Sequence, residues 1–159
     1  MFRIGIGHDT HRLVEGRPLI LGGVRIESER GGEGHSDADA LTHAIADAIL
    51  GALAEGDLGA HFPDDDPQWK DADSLDLLAR VASVADDRGF HIVNADSTIL
   101  LERPKLRNYI KAVRENLAKT LKVKVDRICV KAKTAEGLDA VGRGEAVSAE
   151  AIVLLSNEN

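Results

Sequence analysis

Residues 36–43 read Ser36-Asp37-Ala38-Asp39-Ala40-Leu41-Thr42-His43, and they stand at the start of an apolar run with helical spacing. Ser36 is a typical N-cap and Asp39 occupies the capping-box position, so the sequence predicts a helix from about Asp37 to Ala54. The apolar residues of this run share one face, whereas Asp39, His43 and Asp47 recur at every fourth position on the opposite face. We therefore expect His43 to point away from the helix face that packs into the core.

A second polar motif lies near the N-terminus and reads Gly7-His8-Asp9-Thr10-His11. Side chains alternate along an extended strand, so Asp9 and His11 project from one face while His8 and Thr10 point away. Together with His43 they supply one oxygen and two nitrogen ligands, a set that suits Zn²⁺ with its fourth tetrahedral position free for substrate. An Asp-x-His motif alone is more often a polar strand end, and it is the addition of His43 that favours a metal site.

The bulk composition is that of one acidic domain. The chain has 159 residues, enough for a single core and too few for two ordinary domains, so we expect one domain spanning residues 1–159. Twenty basic and 27 acidic residues give a formal net charge of −7, which argues against nucleic acid or an anionic membrane as the main partner. An anionic substrate would need local cations or a metal ion.

Cysteine content and the N-terminal residues indicate the compartment. The one cysteine, Cys129, excludes an intrachain disulfide framework, and its apolar and β-branched neighbours predict a reduced, packed thiol. The N-terminus has neither the apolar core of a signal peptide nor the Arg- and Ser-rich character of a transit peptide, and no stretch approaches the roughly 18 apolar residues of a membrane span. We expect a cytoplasmic protein with no membrane association.

The rest of the chain alternates between strand and helix patterns. Strands are predicted at 2–7, 19–26, 90–101, 127–133 and 146–155, and helices at 74–88 and 106–122. Gly22-Gly23 interrupts the second strand, residues 27–34 have the composition of a loop, and two prolines prevent a continuous element across 57–73. The pattern predicts an α/β (α+β) fold, a single-domain two-layer sandwich in which helices cover one face of a mixed β-sheet.

Several motifs occur in an order and spacing that one enzyme family shares. They are Gly7-His8-Asp9-Thr10-His11, Leu21-Gly22-Gly23-Val24, His35-Ser36-Asp37-Ala38-Asp39 through His43, Gly56-Asp57-Leu58-Gly59, His61-Phe62-Pro63-Asp64-Asp65-Asp66-Pro67, Arg103-Pro104-Lys105 and Lys133-Thr134-Ala135-Glu136-Gly137. Over nearly its whole length the chain resembles the 2-C-methyl-D-erythritol 2,4-cyclodiphosphate synthases of the non-mevalonate (MEP) isoprenoid pathway. The resemblance implies the same fold, assembled as a homotrimer with active sites between adjacent subunits.

The resemblance also implies a reaction. The substrate would be a cytidine diphosphate ester, 4-diphosphocytidyl-2-C-methyl-D-erythritol 2-phosphate, whose 2-phosphate attacks the β-phosphorus, closes a cyclic diphosphate and releases CMP. Such an enzyme is a metal-dependent phosphorus–oxygen lyase. Because the nucleophile is already an anion, the task left to the protein is to position two phosphates and to offset charge on the β-phosphoryl oxygens.

Roles for individual residues follow from the same resemblance. Zn²⁺ or another divalent transition metal would be held by Asp9, His11 and His43. Glu136 would hold Mg²⁺ or Mn²⁺ between the phosphates. His35 and Thr134 match the catalytic positions that stabilise the transition state. The substrate would be bound by Ser36, Asp57, Leu58, Gly59, Phe62, Pro63, Asp64, Asp65, Asp66, Lys133 and Arg143, and its cytidine by Leu101, Glu102, Arg103, Pro104, Lys105, Leu106 and Arg107.

Simpler interpretations stand beside these roles. Glu136 could be a solvated loop carboxylate, Thr134 a turn hydroxyl and His35 a residue flanking the helix start. Lys105 could be an ordinary helix-entry lysine, and the acidic residues of the 57–66 region could simply be solvated. Arg143 and Glu145 match positions near the trimer axis, where an isoprenoid diphosphate could bind. A surface ion pair is the more cautious interpretation of those two residues.

This chain departs from the family pattern at three places. Lys133-Thr134-Ala135-Glu136 stands where many members have Thr-Thr-Thr-Glu, which keeps the threonine and glutamate and adds a cation. Asp139-Ala140 replaces Gly-Phe, so no aromatic contact is expected at Ala140, and His8 replaces a common aromatic residue. Two rival functions use the same residues: a zinc phosphohydrolase that delivers water, and a non-catalytic module that binds an isoprenoid diphosphate.

Overall fold

The structure, a computed structural model, describes residues 1–63 and 65–158, and these residues form seven strands. The strands are β1 (Phe2–Glu15), β2 (Leu19–Leu21), β3 (Val24–Ile26), β4 (Arg30–Gly32), β5 (His91–Leu100), β6 (Ile128–Lys133) and β7 (Ala146–Ser156). Five of them form one mixed sheet in the order β4-β1-β7-β5-β6, in which only β5 and β6 run parallel, and β2 pairs with β3 in a separate hairpin.

The described residues also form five α-helices and two short 3₁₀ helices, the latter at Pro67–Trp69 and Val125–Arg127. The α-helices are α1 (Ala40–Leu53), α2 (Leu58–His61), α3 (Ser74–Asp87), α4 (Ile110–Thr120) and α5 (Asp139–Gly142). α1 packs on β1, β7 and β5, α4 packs on β6, and α3 packs against α1 and α4. The longer helices therefore cover one face of the sheet, as the sequence predicted.

Two glycines of β1 let α1 lie unusually close to the sheet. A Cβ atom built on Gly7 would be 1.9 Å from the carbonyl oxygen of Ala44, and one on Gly5 would be 1.9 Å from that of Ala48. No side chain can occupy either position without moving the helix, because the opposing atoms belong to the backbone. This contact sets the distance between β1 and α1 next to Asp9 and His43.

The other face of the sheet carries no helix in the described part of the chain, and apolar side chains lie on it. Ile4 and Ile6 of β1 are 69% and 70% exposed, and Ile152 of β7, the cross-strand partner of Ile6, is 46% exposed. Large apolar residues in contiguous exposed positions mark an interaction surface more often than a free one. Among the described residues, none of the helices is both long enough and apolar enough to cross a membrane.

The structure corrects the predicted start of the first helix. α1 begins at Ala40 with Asp39 as its N-cap, and the carboxylate of Asp39 accepts the backbone N–H of Thr42 at 3.0 Å. Ser36 is not the cap, because Ala38 adopts a left-handed conformation (φ 57°) that separates residues 36 and 37 from the helix.

Asp39 is fully buried under the β2–β3 hairpin, where Gly23 donates its backbone N–H to the Asp39 carboxylate at 2.8 Å. Burial raises the pKa of Asp39 above its ordinary value, although the N–H groups of Thr42 and Gly23 oppose the shift. The face of α1 opposite its apolar stripe is therefore also covered at Asp39 by another part of the chain.

Further differences concern element lengths and one side chain. β1 continues eight residues past the predicted end at Gly7, and the predicted loop 27–34 contains β4, which pairs with β1. The fourth helix starts at Ile110, and not at 106. Cys129 is a free thiol, as expected, but it is exposed and not packed, because β6 directs Ile128 and Val130 into the core and Cys129 to the opposite face.

Candidate functional site

Asp9, His11 and His43 converge on one point, as the sequence predicted. The distances between Asp9 Oδ2 and His11 Nε2, between Asp9 Oδ2 and His43 Nδ1, and between the two ring nitrogens are 2.8, 3.0 and 3.2 Å. Among the described residues, this is the one group of three His, Cys, Asp or Glu side chains with ligand atoms close enough to share a metal ion. Ligands of a tetrahedral Zn²⁺ lie about 3.3 Å from one another, given bonds of about 2.0–2.1 Å.

Each ligand is held by its own element. Asp9 and His11 lie two residues apart in β1, whose pairing with β7 places Asp9 opposite Ala149 and His11 opposite Val147. The backbone carbonyl of Glu33, just after β4, lies 2.9 Å from His11 Nδ1, which leaves Nε2 facing the other ligands. His43 comes from the first turn of α1, the helix that rests on Gly7.

The carboxylate of Asp9 is coupled electrostatically to its histidine neighbours. Burial raises the pKa of Asp9, but the hydrogen bonds and charges of His11 and His43 outweigh it and hold this pKa well below the ordinary value. Burial likewise lowers the pKa of His11, whereas the hydrogen bond and charge of Asp9 raise it to a net value above the ordinary one. The carboxylate therefore stays ionised and ready to bind a cation across the physiological range.

A cavity of about 520 Å³ opens beside the three side chains. The sequence-predicted residues His35, Ser36, Asp57, Leu58, Gly59 and Phe62 line it. Residues that the sequence did not assign to the site also line it: Glu33, Gly34, Asp47, Trp69 and Leu77. Of these, Asp47 was detectable, because it follows His43 by one helical turn on the same face of α1.

Asp47 connects α1 to the segment 57–73, several of whose described residues line the cavity. Its carboxylate accepts the backbone N–H of Leu58 at 2.7 Å, which fixes the start of α2. Burial raises the pKa of Asp47 above its ordinary value, with the N–H of Leu58 opposing the shift. Asp57 caps the same helix by accepting from the N–H of Ala60 at 2.9 Å, so this carboxylate has a structural partner within its own turn.

The remainder of the segment runs back to the site through an aromatic pair. Phe62 and Trp69 meet edge to face with their centroids 4.9 Å apart, and His35 Nε2 lies 3.4 Å from the carbonyl oxygen of Asp66. Pro63 and Asp65 are exposed, and Asp66 is half-buried. Asp64 lies outside the described residues.

The residues predicted to hold cytidine line a different cavity, of about 380 Å³. Leu101, Pro104, Lys105, Leu106 and Arg107 border it together with Lys133 and Thr134. Glu102 and Arg103 instead line a third cavity. Glu102 accepts the backbone N–H of Ala135 at 3.2 Å, and Arg103 is joined to Pro104 by a cis peptide bond. The 380 Å³ cavity shares no lining residue with the cavity at Asp9, His11 and His43.

Glu136 and Arg143, the two remaining sequence-predicted residues, lie at the surface. Thr134 donates its hydroxyl to Glu136 Oε1 at 2.6 Å, and neither residue lines the cavity beside Asp9, His11 and His43. Arg143 donates to Glu145 Oε2 from Nε and Nη2 at 3.1 and 3.0 Å, which is the surface ion pair of the cautious interpretation. Arg143 also lines the cavity that contains Arg103.

Comparison with known proteins identifies relatives over the whole chain. The YgbB family model matches residues 2–156. A 2-C-methyl-D-erythritol 2,4-cyclodiphosphate synthase from Pelobacter propionicus is 60% identical over 153 residues, which cover 96% of this chain and 97% of that protein. A solved synthase in a CDP-bound form is 43% identical with a TM-score of 0.90, covering 97% of this chain and all of that one. The bifunctional IspDF of Campylobacter jejuni is 39% identical with a TM-score of 0.94, and the match covers 98% of this chain and 42% of that longer one.

Proposed function

The chain belongs to the YgbB family, and from this membership and the geometry of its site we propose that it is a 2-C-methyl-D-erythritol 2,4-cyclodiphosphate synthase of the MEP isoprenoid pathway. The reaction joins an oxygen of the substrate's 2-phosphate to the β-phosphorus and breaks the bond from that phosphorus to the bridging oxygen, which leaves with CMP. It is a cyclising phosphorus–oxygen lyase reaction, and we propose that residues 1–159 form one domain that performs it. The convergence of Asp9, His11 and His43 beside a substrate-sized cavity is the observation that carries the proposal.

The donor set fits Zn²⁺ or another divalent transition metal. One carboxylate oxygen and two imidazole nitrogens lie about as far apart as neighbouring ligands of a tetrahedral ion. The backbone carbonyl of Glu33 contacts the outer nitrogen of His11, as is usual for metal-bound histidines. Glu136 offers a single exposed carboxylate, which suits Mg²⁺ or Mn²⁺ bound mainly through substrate phosphates. When bound, these cations would supply Lewis-acid stabilisation of charge on the phosphoryl oxygens.

The chain's own residues then have to orient an anionic nucleophile, and no general base is needed. We assign the methylerythritol phosphate to the cavity lined by Ser36, Leu58 and Phe62, and the cytidine to the cavity lined by residues 104–107. Lys133 and Thr134 line the cytidine cavity and would face the phosphates that link the two parts. His35 and Thr134 would donate to the phosphoryl oxygens as charge develops there.

The two cavities share no lining residue within one chain, and a homotrimer would explain how they can belong to one active site. If the active site forms between subunits, one protomer supplies the metal ligands and its neighbour supplies the cytidine cavity with Thr134 and Glu136. The uncovered apolar sheet face supports this arrangement, because Ile4, Ile6 and Ile152 would be buried by association. Such an assembly would bring three copies of Arg143 toward one axis, where an isoprenoid diphosphate could bind.

A cytoplasmic location would suit the free thiol of Cys129.

Sedimentation equilibrium tests the assembly. We expect a trimer for the wild-type protein and dissociation for Ile6→Asp, which places a charge on the uncovered sheet face. Val125→Asp is the matched control, because Val125 is an exposed apolar residue in a 3₁₀ helix and not in the sheet. A monomeric wild-type protein would exclude the homotrimer and the shared active site.

Direct product analysis tests the activity. Metal-loaded protein is incubated with 4-diphosphocytidyl-2-C-methyl-D-erythritol 2-phosphate and Mg²⁺, and the products are identified by ³¹P NMR. We expect the cyclic diphosphate and CMP, and loss of turnover in His43→Ala. A linear phosphate product would instead identify a phosphohydrolase, and unchanged activity in His43→Ala would exclude a role for the proposed metal ligands.

A further inference from the structure

A hydrogen-bond network runs from the outer nitrogen of His43 through the buried Ser74 to the half-buried Asp37. Ser74 Oγ lies 2.8 Å from His43 Nε2 and is also hydrogen-bonded to Asp37 Oδ1. The backbone N–H of Ser74 donates to the second oxygen of the same carboxylate at 3.1 Å. Ser74 is fully buried, so these partners and not water satisfy its hydroxyl group.

The donor and acceptor of each hydrogen bond in this network can be assigned from the chemistry of the groups. An ionised carboxylate only accepts hydrogen bonds, so the single hydroxyl proton of Ser74 is directed to Asp37. The lone pairs of Ser74 Oγ then face His43, and Nε2 of His43 must carry the proton of that contact. With Nε2 engaged in this way, Nδ1 is the ring nitrogen left to face Asp9 and His11, where a metal ion would take the place of any proton on it.

We propose that Asp37 and Ser74 are positioning residues that hold the Nε2–H group of His43 and fix the ring so that Nδ1 faces Asp9 and His11. This inference rests on the metal site of the proposed function. The two histidines of the site are thereby held through opposite ring nitrogens, since His11 is held at Nδ1 by the Glu33 carbonyl and presents Nε2. Ser36 Oγ is the weaker neighbour of His43 Nε2, at 3.3 Å.

The same two residues connect the metal ligand to the segment that borders the cavity. Ser74 is the first residue of α3 and directly follows that segment. Residues 35–37 receive the end of the segment through two further backbone bonds, from Asp71 N–H to the His35 carbonyl at 2.8 Å and from Asp37 N–H to the Ala72 carbonyl at 3.2 Å. The contact between Asp37 and Ser74 thus orients His43 and, together with these backbone bonds, anchors the end of the segment.

Metal affinity and histidine NMR together test the inference. Ser74→Ala removes the hydroxyl without adding volume, and Asp37→Ala removes both carboxylate oxygens, so that the Ser74 hydroxyl loses its acceptor. We expect 10- to 100-fold weaker Zn²⁺ binding in Ser74→Ala, measured by competition with a chelator, which is roughly the usual effect of losing an outer partner of a metal-bound histidine. In the metal-free protein, NMR should show a His43 Nε2–H proton that exchanges slowly with water in the wild type and roughly 10-fold faster in Ser74→Ala.

The matched control is Ser97→Ala, because Ser97 is also buried and donates one hydrogen bond, to the Cys129 carbonyl in the sheet, far from the site in sequence. It should leave both readouts unchanged. Should Ser74→Ala fail to fold, the same two measurements on Asp37→Ala decide the question. Wild-type Zn²⁺ affinity together with unchanged exchange of the Nε2–H proton in the variants would overturn the inference. If the wild-type protein binds no Zn²⁺, the proposed metal site fails, and the exchange measurement still decides the role of Asp37 and Ser74.

Discussion

Replacing Gly7 with alanine should separate β1 from α1 at the point where the metal ligands meet. The new Cβ would lie 1.9 Å from the Ala44 carbonyl oxygen and 2.7 Å from the Ala48 nitrogen, whereas ordinary contacts begin at about 3.4 Å. Both opposing atoms belong to the helix backbone and cannot rotate away. Relief therefore requires a displacement of more than about 1 Å between strand and helix.

A displacement of this size is large relative to the site. His43 Nδ1 on α1 lies 3.0 Å from Asp9 Oδ2 and 3.2 Å from His11 Nε2 on β1, and His43 directly precedes Ala44. We expect Gly7→Ala to lower the free energy of unfolding by about 3 kcal/mol, the upper end of the usual range for overpacking. Zn²⁺ affinity should fall by at least about 100-fold, because a ligand 1 Å out of position no longer shares the ion.

Two other glycines provide matched controls. Gly51→Ala adds the same methyl group to α1 itself, where its nearest contact would be the Ile6 carbonyl oxygen at 3.7 Å, so it should stabilise the protein by up to about 1 kcal/mol through helix propensity. Gly5→Ala meets the Ala48 carbonyl at 1.9 Å and should destabilise as Gly7→Ala does, but with a smaller loss of Zn²⁺ affinity because it lies farther from the ligands. Urea denaturation of the metal-free variants and chelator competition give the two quantities. Wild-type stability and affinity in Gly7→Ala would refute the reasoning.

Two further predictions concern the cavity segment and protons. Asp47→Ala removes the acceptor for the N–H of Leu58, so limited proteolysis within 57–73 should accelerate roughly 10-fold. Asp47→Asn keeps an acceptor oxygen, and its proteolysis rate should stay near that of the wild type. Equal proteolysis rates in the two variants would contradict the role of this hydrogen bond. Zn²⁺ affinity should rise with pH near neutrality, because Asp9 raises the pKa of His11 and metal binding must displace the proton that His11 holds below that pKa. The pKa of Asp9 is lowered, so this carboxylate adds no proton competition near neutrality; affinity that is independent of pH between 6 and 8 in chelator competition would contradict the assignment of His11 as a ligand.

Periodicity was sufficient to predict the pairing of Asp9 with His11 and the presence of His43 on a helix. Both inferences depend only on local geometry, because side chains two apart in a strand share a face and β1 continues through residue 15. The helix start was wrong by about three residues, since the left-handed conformation of Ala38 cannot be anticipated from an alanine. The burial of Asp39 could not be predicted for a different reason: the hairpin that covers it comes from residues 19–26.

The contacts that sequence reasoning missed join distant parts of the chain. Asp37 and Ser74 are 37 residues apart, and nothing in either local pattern indicates that they pair. Asp47 and Leu58 meet only because the chain turns back after α1. Cys129 was misplaced because apolar neighbours in an edge strand do not reveal which face of the sheet the helices cover.

The close approach of α1 to β1 explains how such short ligands can share an ion. Asp and His side chains reach only a few ångströms from their Cα atoms, so a site split between a strand and a helix requires the two backbones to be in contact. Gly7 supplies that contact at a position two residues before Asp9. The hydrogen bonds from Asp37 to Ser74 and from Ser74 to His43 orient the His43 ring toward Asp9. Backbone spacing and ring orientation are therefore set by different residues. Gly7→Ala and Ser74→Ala should weaken Zn²⁺ binding by distinguishable routes, and only the first should move α1.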